Sequence, residues 1–185
     1  WTNIAKIEAK RNRPQTAKNY YKRAVETNPD NYETLYNYAN FLLDIQDFEE
    51  AIEYYDKALE KEPSLALAMY NKGVAYVKLE RYEEAIDAYK KVLKINPDDA
   101  TSHFEIGAIY FETGKITEAT KHFQKSAELN PMDSKAYECL AECFKKFDQN
   151  VHISNVLRSI IQVQRTEVLC RVRDRVLTAG QKSII

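Results

Sequence analysis

The chain has 185 residues, 44% of them hydrophobic, with a formal charge of −1, which is material for a sizeable core and too apolar for a disordered chain. Four glycines and five prolines are too few for the turns of an all-β fold, and no run of about 18 uncharged apolar residues offers a bilayer span, so an all-α protein without membrane insertion is expected. The opening residues do not read as a signal peptide, and Cys139, Cys143 and Cys170 form an odd set without framework spacing, which points away from disulfides and toward a reducing, cytoplasmic setting.

The chain is punctuated at Pro29, Pro63, Pro97 and Pro131, 34 residues apart each time and three times preceded by Asn, the mark of a repeated turn. Two more columns keep that period: Ala17, Ala51, Ala85 and Ala119 lie twelve residues before each proline, and Tyr21, Tyr55, Tyr89 and Phe123 lie eight before. On this register a first unit covers 1–31, and Trp1 falls at its fourth position. The residues that would open its first helix are missing, so a longer chain with repeats upstream is expected.

The second unit, 32–65, predicts a helix over Tyr32–Leu43 with Leu35, Tyr38, Ala39 and Leu42 on one face. A second helix follows with Phe48, Ala51, Ile52, Tyr55 and Leu59, and Asp47 is placed as its N-cap. The third unit, 66–99, repeats the pattern with Met69, Gly73 and Tyr76, then Tyr82, Ala85, Ile86 and Tyr89; the fourth, 100–133, does so with Ile106, Gly107 and Tyr110, then Ala119, Phe123 and Ala127. The fifth, 134–166, departs from it, with Ile153 in the alanine column and no closing proline. From Val151 to Leu177 there is neither Gly nor Pro, so one long helix or two fit; two are favoured. The last is then a capping helix, Val168 to Leu177 within 167–185, that turns Arg171, Arg173, Asp174 and Arg175 outward and stops at Gly180.

Three other columns complete the pattern. Ala5, Ala39, Gly73, Gly107 and Ala141 stand at the eighth position; Leu42, Tyr76, Tyr110 and Phe144 at the eleventh, with Glu8 in the first unit; and Trp1, Leu35, Met69, His103 and Tyr137 at the fourth. Over about residues 1–166 this arrangement resembles the tetratricopeptide repeat (TPR). The resemblance implies a right-handed α-solenoid of about five helix-turn-helix units with a C-terminal capping helix. Each hairpin leaves an apolar face that only its neighbours can cover.

The resemblance also implies a concave groove lined by the first helix of each unit, at positions two, five, six, nine, twelve and thirteen. The sixth position holds Asn3, Asn37 and Asn71, then Glu105 and Cys139. Three amides in succession form a ladder that offers donors and acceptors to an extended peptide backbone. It is similar to the groove of the O-linked N-acetylglucosamine transferase repeats, although idealised TPR units carry Asn there too. Tyr36, Tyr70 and Phe104 at the fifth position, Asn40 at the ninth, and Leu43, Val77 and Phe111 at the twelfth supply a largely apolar, aromatic floor; packing of those rings on the neighbouring hairpin is the competing reading.

A subset of the family clamps the C-terminal carboxylate of heat-shock chaperones with lysines, asparagines and an arginine. Asn40 and Asn71 fit that clamp, but Tyr36, Thr101 and Glu105 stand where cations are needed, and Glu105 would repel a carboxylate. Starting one unit earlier puts Thr2, Leu67 and Asn71 at the cationic positions. No chaperone-tail binding is expected.

Charge is uneven along the chain. Residues 1–26 carry seven basic against two acidic side chains, 152–185 carry six against two, and the stretch between carries 14 against 24. An acidic body with basic ends disfavours nucleic acid as a partner. The ends instead offer Arg11, Arg13, Lys18, Lys22 and Arg23, and Arg171, Arg173 and Arg175, to acidic neighbouring proteins. Catalysis has little to stand on: His103, His122 and His152 fall in three different helices, Cys139 and Cys143 lack a second pair for a tetrahedral metal, and no phosphate loop or nucleophile elbow is present. Acid pairs such as Glu49/Glu50 and Glu83/Glu84 read as solvated helix faces. Neither a cofactor nor a metal nor a catalytic site is expected. The reading is a scaffold or adaptor within a multiprotein complex, a ciliary or other cytoskeletal assembly being one setting. The alternative is the substrate-recruiting arm of an enzyme whose catalytic domain lies outside the chain.

Overall fold

A computed structural model describes residues 1–148 as nine α-helices, with no strand among the described residues. In order they are α1 (Thr2–Lys10), α2 (Pro14–Thr27), α3 (Tyr32–Asp44), α4 (Phe48–Lys61), α5 (Ala66–Lys78), α6 (Tyr82–Ile95), α7 (Ala100–Glu112), α8 (Ile116–Leu129) and α9 (Ser134–Asp148). Consecutive helices pair into four hairpins, α1/α2 to α7/α8; the second helix of each rests on the first helix of the next, and α9 closes on α8. The chain is therefore a helical solenoid. The second helix of the fifth unit, the capping helix over 167–185, and Arg171, Arg173 and Arg175 lie outside the described residues.

The repeat columns are the core. Ala17, Ala51, Ala85 and Ala119 are each 0% exposed, because only a methyl group fits where two helices of a hairpin meet. The small residue at the eighth position faces the aromatic ring of the second helix: a Cβ built on Gly73 would lie 2.7 Å from Tyr89 Cε1, and one on Gly107 2.9 Å from Phe123 Cδ1. Between hairpins, Tyr21 of the first unit stacks on Tyr38 and Phe41 of the second at centroid distances of 5.4 and 5.0 Å. Ile106 and Ile109, and Leu140 and Cys143, occupy the equivalent buried places in the later units.

Each hairpin turns in the same way. Asn12, Gln46, Glu80 and Gly114 adopt φ of 58°, 64°, 58° and 77°, one per unit at equivalent positions. In the second unit Gln46 N–H reaches the Leu43 carbonyl at 3.0 Å and Asp47 N–H the Leu42 carbonyl at 2.9 Å, the paired bonds of a Schellman motif that satisfy the last carbonyls of α3. The same pattern recurs at Glu80/Arg81 and Gly114/Lys115. The side-chain caps sit on first helices: Asn31 accepts from Thr34 N–H at 2.7 Å and Asp99 from Ser102 N–H at 2.8 Å. Asp47 corrects the sequence reading. It stands at the N-cap of α4 but makes no side-chain cap; its carboxylate accepts instead from Lys18 Nζ of the preceding unit at 2.7 Å.

Candidate functional site

The first helices α3, α5 and α7 bring residues of successive units together along one face. Each fifth-position ring leans on the aromatic of its own second helix: Tyr36 on Tyr55 (6.2 Å between centroids), Tyr70 on Tyr89 (5.3 Å) and Phe104 on Phe123 (5.4 Å). All three are half-buried, as are Leu43, Val77 and Phe111, which pack at the edges of the core clusters. One side of each ring is packed, on its own hairpin's second helix, and the remainder is open. Phe111 is further covered by Lys146, whose ammonium lies 4.0 Å from the ring centroid.

The asparagines are not equivalent rungs. Asn3 is exposed and Asn37 half-buried. Asn71 is committed across the junction of the second and third units, where its Nδ2 donates to Asn40 Oδ1 at 2.9 Å and to the Tyr36 hydroxyl at 3.3 Å. Asn40 Oδ1 also accepts from the Tyr55 hydroxyl at 2.7 Å. One carbonyl oxygen thus holds together two units. Burial pushes the Tyr55 phenol well above its ordinary pKa, with the Tyr36 phenol adding to the effect, so it stays a donor.

At the next junction the sixth position is Glu105. Tyr70 donates to its Oε1 at 3.2 Å. Burial raises the Glu105 pKa, opposed by the Tyr70 hydrogen bond and by Lys135 and Lys78.

The basic end is less free than its composition implies. Arg11 and Arg13 both reach Glu8, at 2.9 and 3.4 Å, which explains how an acid tolerates the buried eleventh position of the first unit. Lys18 is bound to Asp47 and Glu50 of the second unit at 2.7 and 2.5 Å, and those hydrogen bonds raise its pKa; it is an inter-unit clip, not an open basic surface. Arg23 lies 5.8 Å from the Trp1 ring, and Lys22 is exposed.

Two features escaped sequence reasoning. The hairpin of α7 and α8 brings His103 and His122 together, Nδ1 to Nδ1 at 3.2 Å, because the fourth position of a first helix meets the position just before the aromatic column of the second. His103 Nε2 contacts the Pro97 carbonyl at 3.3 Å, so it carries the proton there and, when neutral, receives one from His122 Nδ1–H. Burial, then His103 and Lys90, lower the His122 pKa to about 4. The second feature is an open cleft of about 600 Å³ formed by α4, α5 and α6. Most of its charges are paired: Lys72 with Asp56 (2.5 Å), Lys91 with Asp87 (2.8 Å), and Glu84 with Arg81 outside it (2.7 Å). Cys139 and Cys143 are half-buried and buried, and burial pushes both thiols up.

Comparison with known proteins agrees with this architecture. Family models described as tetratricopeptide repeat match residues 2–66, 54–87 and 100–133, and one described as TPR repeat matches 73–114. No curated protein matches the sequence closely enough to count as a relative. Among solved structures, a crystal structure of MamA has a TM-score of 0.76 at 21% identity, covering 95% of this chain and 98% of that one. MamA 41-end from Desulfovibrio magneticus RS-1 has a TM-score of 0.73 at 23% identity, covering 93% of each chain. YrrB, described as a TPR protein with an unusual peptide-binding site, has a TM-score of 0.68 at 21% identity, covering 94% of this chain and 90% of its own. The repeat columns, the stacked hairpins and the contiguous matches from residue 2 to 133 agree: the chain belongs to the tetratricopeptide-repeat family.

Proposed function

We propose that the chain is a protein-interaction scaffold or adaptor that holds a partner segment along its first-helix face and meets neighbouring subunits of a multiprotein complex at its ends. The observation that carries the reading is the row Tyr36, Tyr70 and Phe104. One half-buried ring per unit is braced from below by a second ring, so the apolar platform is rigid before a partner arrives and little ordering entropy remains to oppose binding. Asn37 and the exposed Asn3 flank it with amides that make no side-chain hydrogen bond among the described residues. The peptide-binding site in the description of YrrB supports a polypeptide as the ligand class. Glu105 in place of a cation argues against a chaperone carboxylate as that ligand. No catalytic role is assigned. No helix among the described residues is long and apolar enough to cross a membrane, and a reducing, cytoplasmic complex fits the free thiols.

The test is affinity purification from native material with the wild-type chain and with Asn37→Ala/Asn71→Ala, circular dichroism confirming that both are folded. Loss of the recovered partners in the variant is expected. An unchanged partner set overturns the groove. Lys22→Glu/Arg23→Glu tests the first end in the same experiment, with loss of a different subset expected.

A further inference from the structure

Two changes at equivalent positions distinguish the junction of the third and fourth units from the one before it. Val74 stands where Asn40 stood, and Glu105 where Asn71 stood. Tyr89, the counterpart of Tyr55, is 0% exposed and its hydroxyl has no hydrogen-bond partner. By repeat equivalence it is aimed where the Tyr55 hydroxyl meets Asn40, now toward Val74 and Glu105, and the Glu105 charge is the strongest that acts on it. The Glu105 carboxylate is half-buried, receives the Tyr70 hydroxyl at 3.2 Å, and has no ion pair among the described residues; Lys78 and Lys135 act on it only at longer range.

A half-buried carboxylate with one phenol donor and no ion pair among the described residues, beside the half-buried ring of Tyr70 tilted on Tyr89, is matched by a planar cation. We infer that this junction is the subsite for an arginine side chain of the partner segment, its guanidinium donating to Glu105 while it lies against the half-buried Tyr70 ring. Arginine is favoured over lysine because its fork supplies several donors in one plane and stacks on aromatic faces. The acidic stretch between the two basic ends, 14 basic against 24 acidic residues, draws a basic segment toward this face. The inference rests on the reading that the first-helix face holds a polypeptide.

A library of displayed random dodecapeptides, panned on the 185-residue chain, separates the two. Enriched peptides with an arginine at one fixed register are expected. A synthetic copy should bind Glu105→Gln at least tenfold more weakly. Replacing that arginine by alanine should cost the wild type at least tenfold and Glu105→Gln nothing. Peptides that lose binding to Asn37→Ala/Asn71→Ala but carry no fixed arginine, or bind Glu105→Gln as well as wild type, overturn the subsite and leave the groove standing. Failure to enrich any peptide sensitive to Asn37→Ala/Asn71→Ala overturns both.

Discussion

The junction between the second and third units and the junction between the third and fourth share a scaffold and differ in chemistry. In the first, one carbonyl oxygen of Asn40 gathers donors from Tyr55 and Asn71, and no buried side-chain polar atom there lacks a partner. In the second, Val74 offers nothing, Tyr89 is left without a partner, and Glu105 holds a charge at the edge of the core. The alanine and aromatic columns that stack the units are untouched by the change. A repeat array thus keeps its fold in one set of columns and its individuality in another, and the ninth and sixth positions of first helices belong to the second set. The largest effects should leave the two junctions alike: Tyr55→Ala and Tyr89→Ala each remove a fully buried ring and should each cost about 3–5 kcal/mol in urea unfolding. The hydroxyls alone should separate them. Tyr55→Phe takes a donor from Asn40 and should cost about 1–2 kcal/mol, whereas Tyr89→Phe removes an unanswered polar atom and should be neutral or stabilising by up to about 1 kcal/mol. Equal losses for the two phenylalanine variants would break the comparison.

Acid sharpens it from another side. His122 belongs to the fourth unit, where its counterparts in the second and third are Tyr54 and Ala88. Its folded pKa is lowered to about 4 by burial, His103 and Lys90, while an unfolded histidine titrates near 6.5. Between those values the unfolded chain binds the extra proton, so stability is intact above about pH 6.5 and falls as pH drops toward 4. With screening of a half-buried ring, the loss should be on the order of 1–2 kcal/mol. Glu105, whose pKa is raised by burial, works in the opposite sense, since its folded form takes up a proton first. Denaturation midpoints at pH 7 and pH 4.5 should therefore differ less in His122→Gln than in wild type, and more in Glu105→Gln.

The stack was legible in the sequence because its columns are set by space: only Ala or Gly fits beneath the ring of the second helix, so the alanine and aromatic periods print the fold directly. The half-buried rings were half legible, since a fifth-position aromatic has to pack and to face outward at once. What the sequence hid were pairings decided by reach. Lys18 sits among basic neighbours in the chain but is spent on Asp47 and Glu50 of the next unit. Asp47 has the right type and place for a cap yet turns to that lysine. His103 and His122 meet only because a hairpin folds the fourth position onto the residue before the aromatic column. The ladder of Asn3, Asn37 and Asn71 looked uniform because a column shows residue type and not what the next unit offers it.

The smallest effect serves as the control. Gln46 and Glu80 hold φ of 64° and 58° in the turns of the second and third units, where the fourth unit has Gly114 at 77°. A left-handed conformation crowds the Cβ of any residue but glycine, at a cost of about 1–2 kcal/mol, while glycine gives part of that back through the extra freedom of its unfolded chain. Gln46→Gly and Glu80→Gly should each stabilise by about 0.5–1 kcal/mol, and Gly114→Ala should destabilise by a similar amount, read from urea midpoints at unchanged slope. Both stabilising changes sit in units that flank the two junctions and touch neither, so they should be equal. Unequal gains would mean that the second and third units differ in their turns as well, and the contrast between the junctions could no longer be assigned to Asn40, Val74, Asn71 and Glu105 alone.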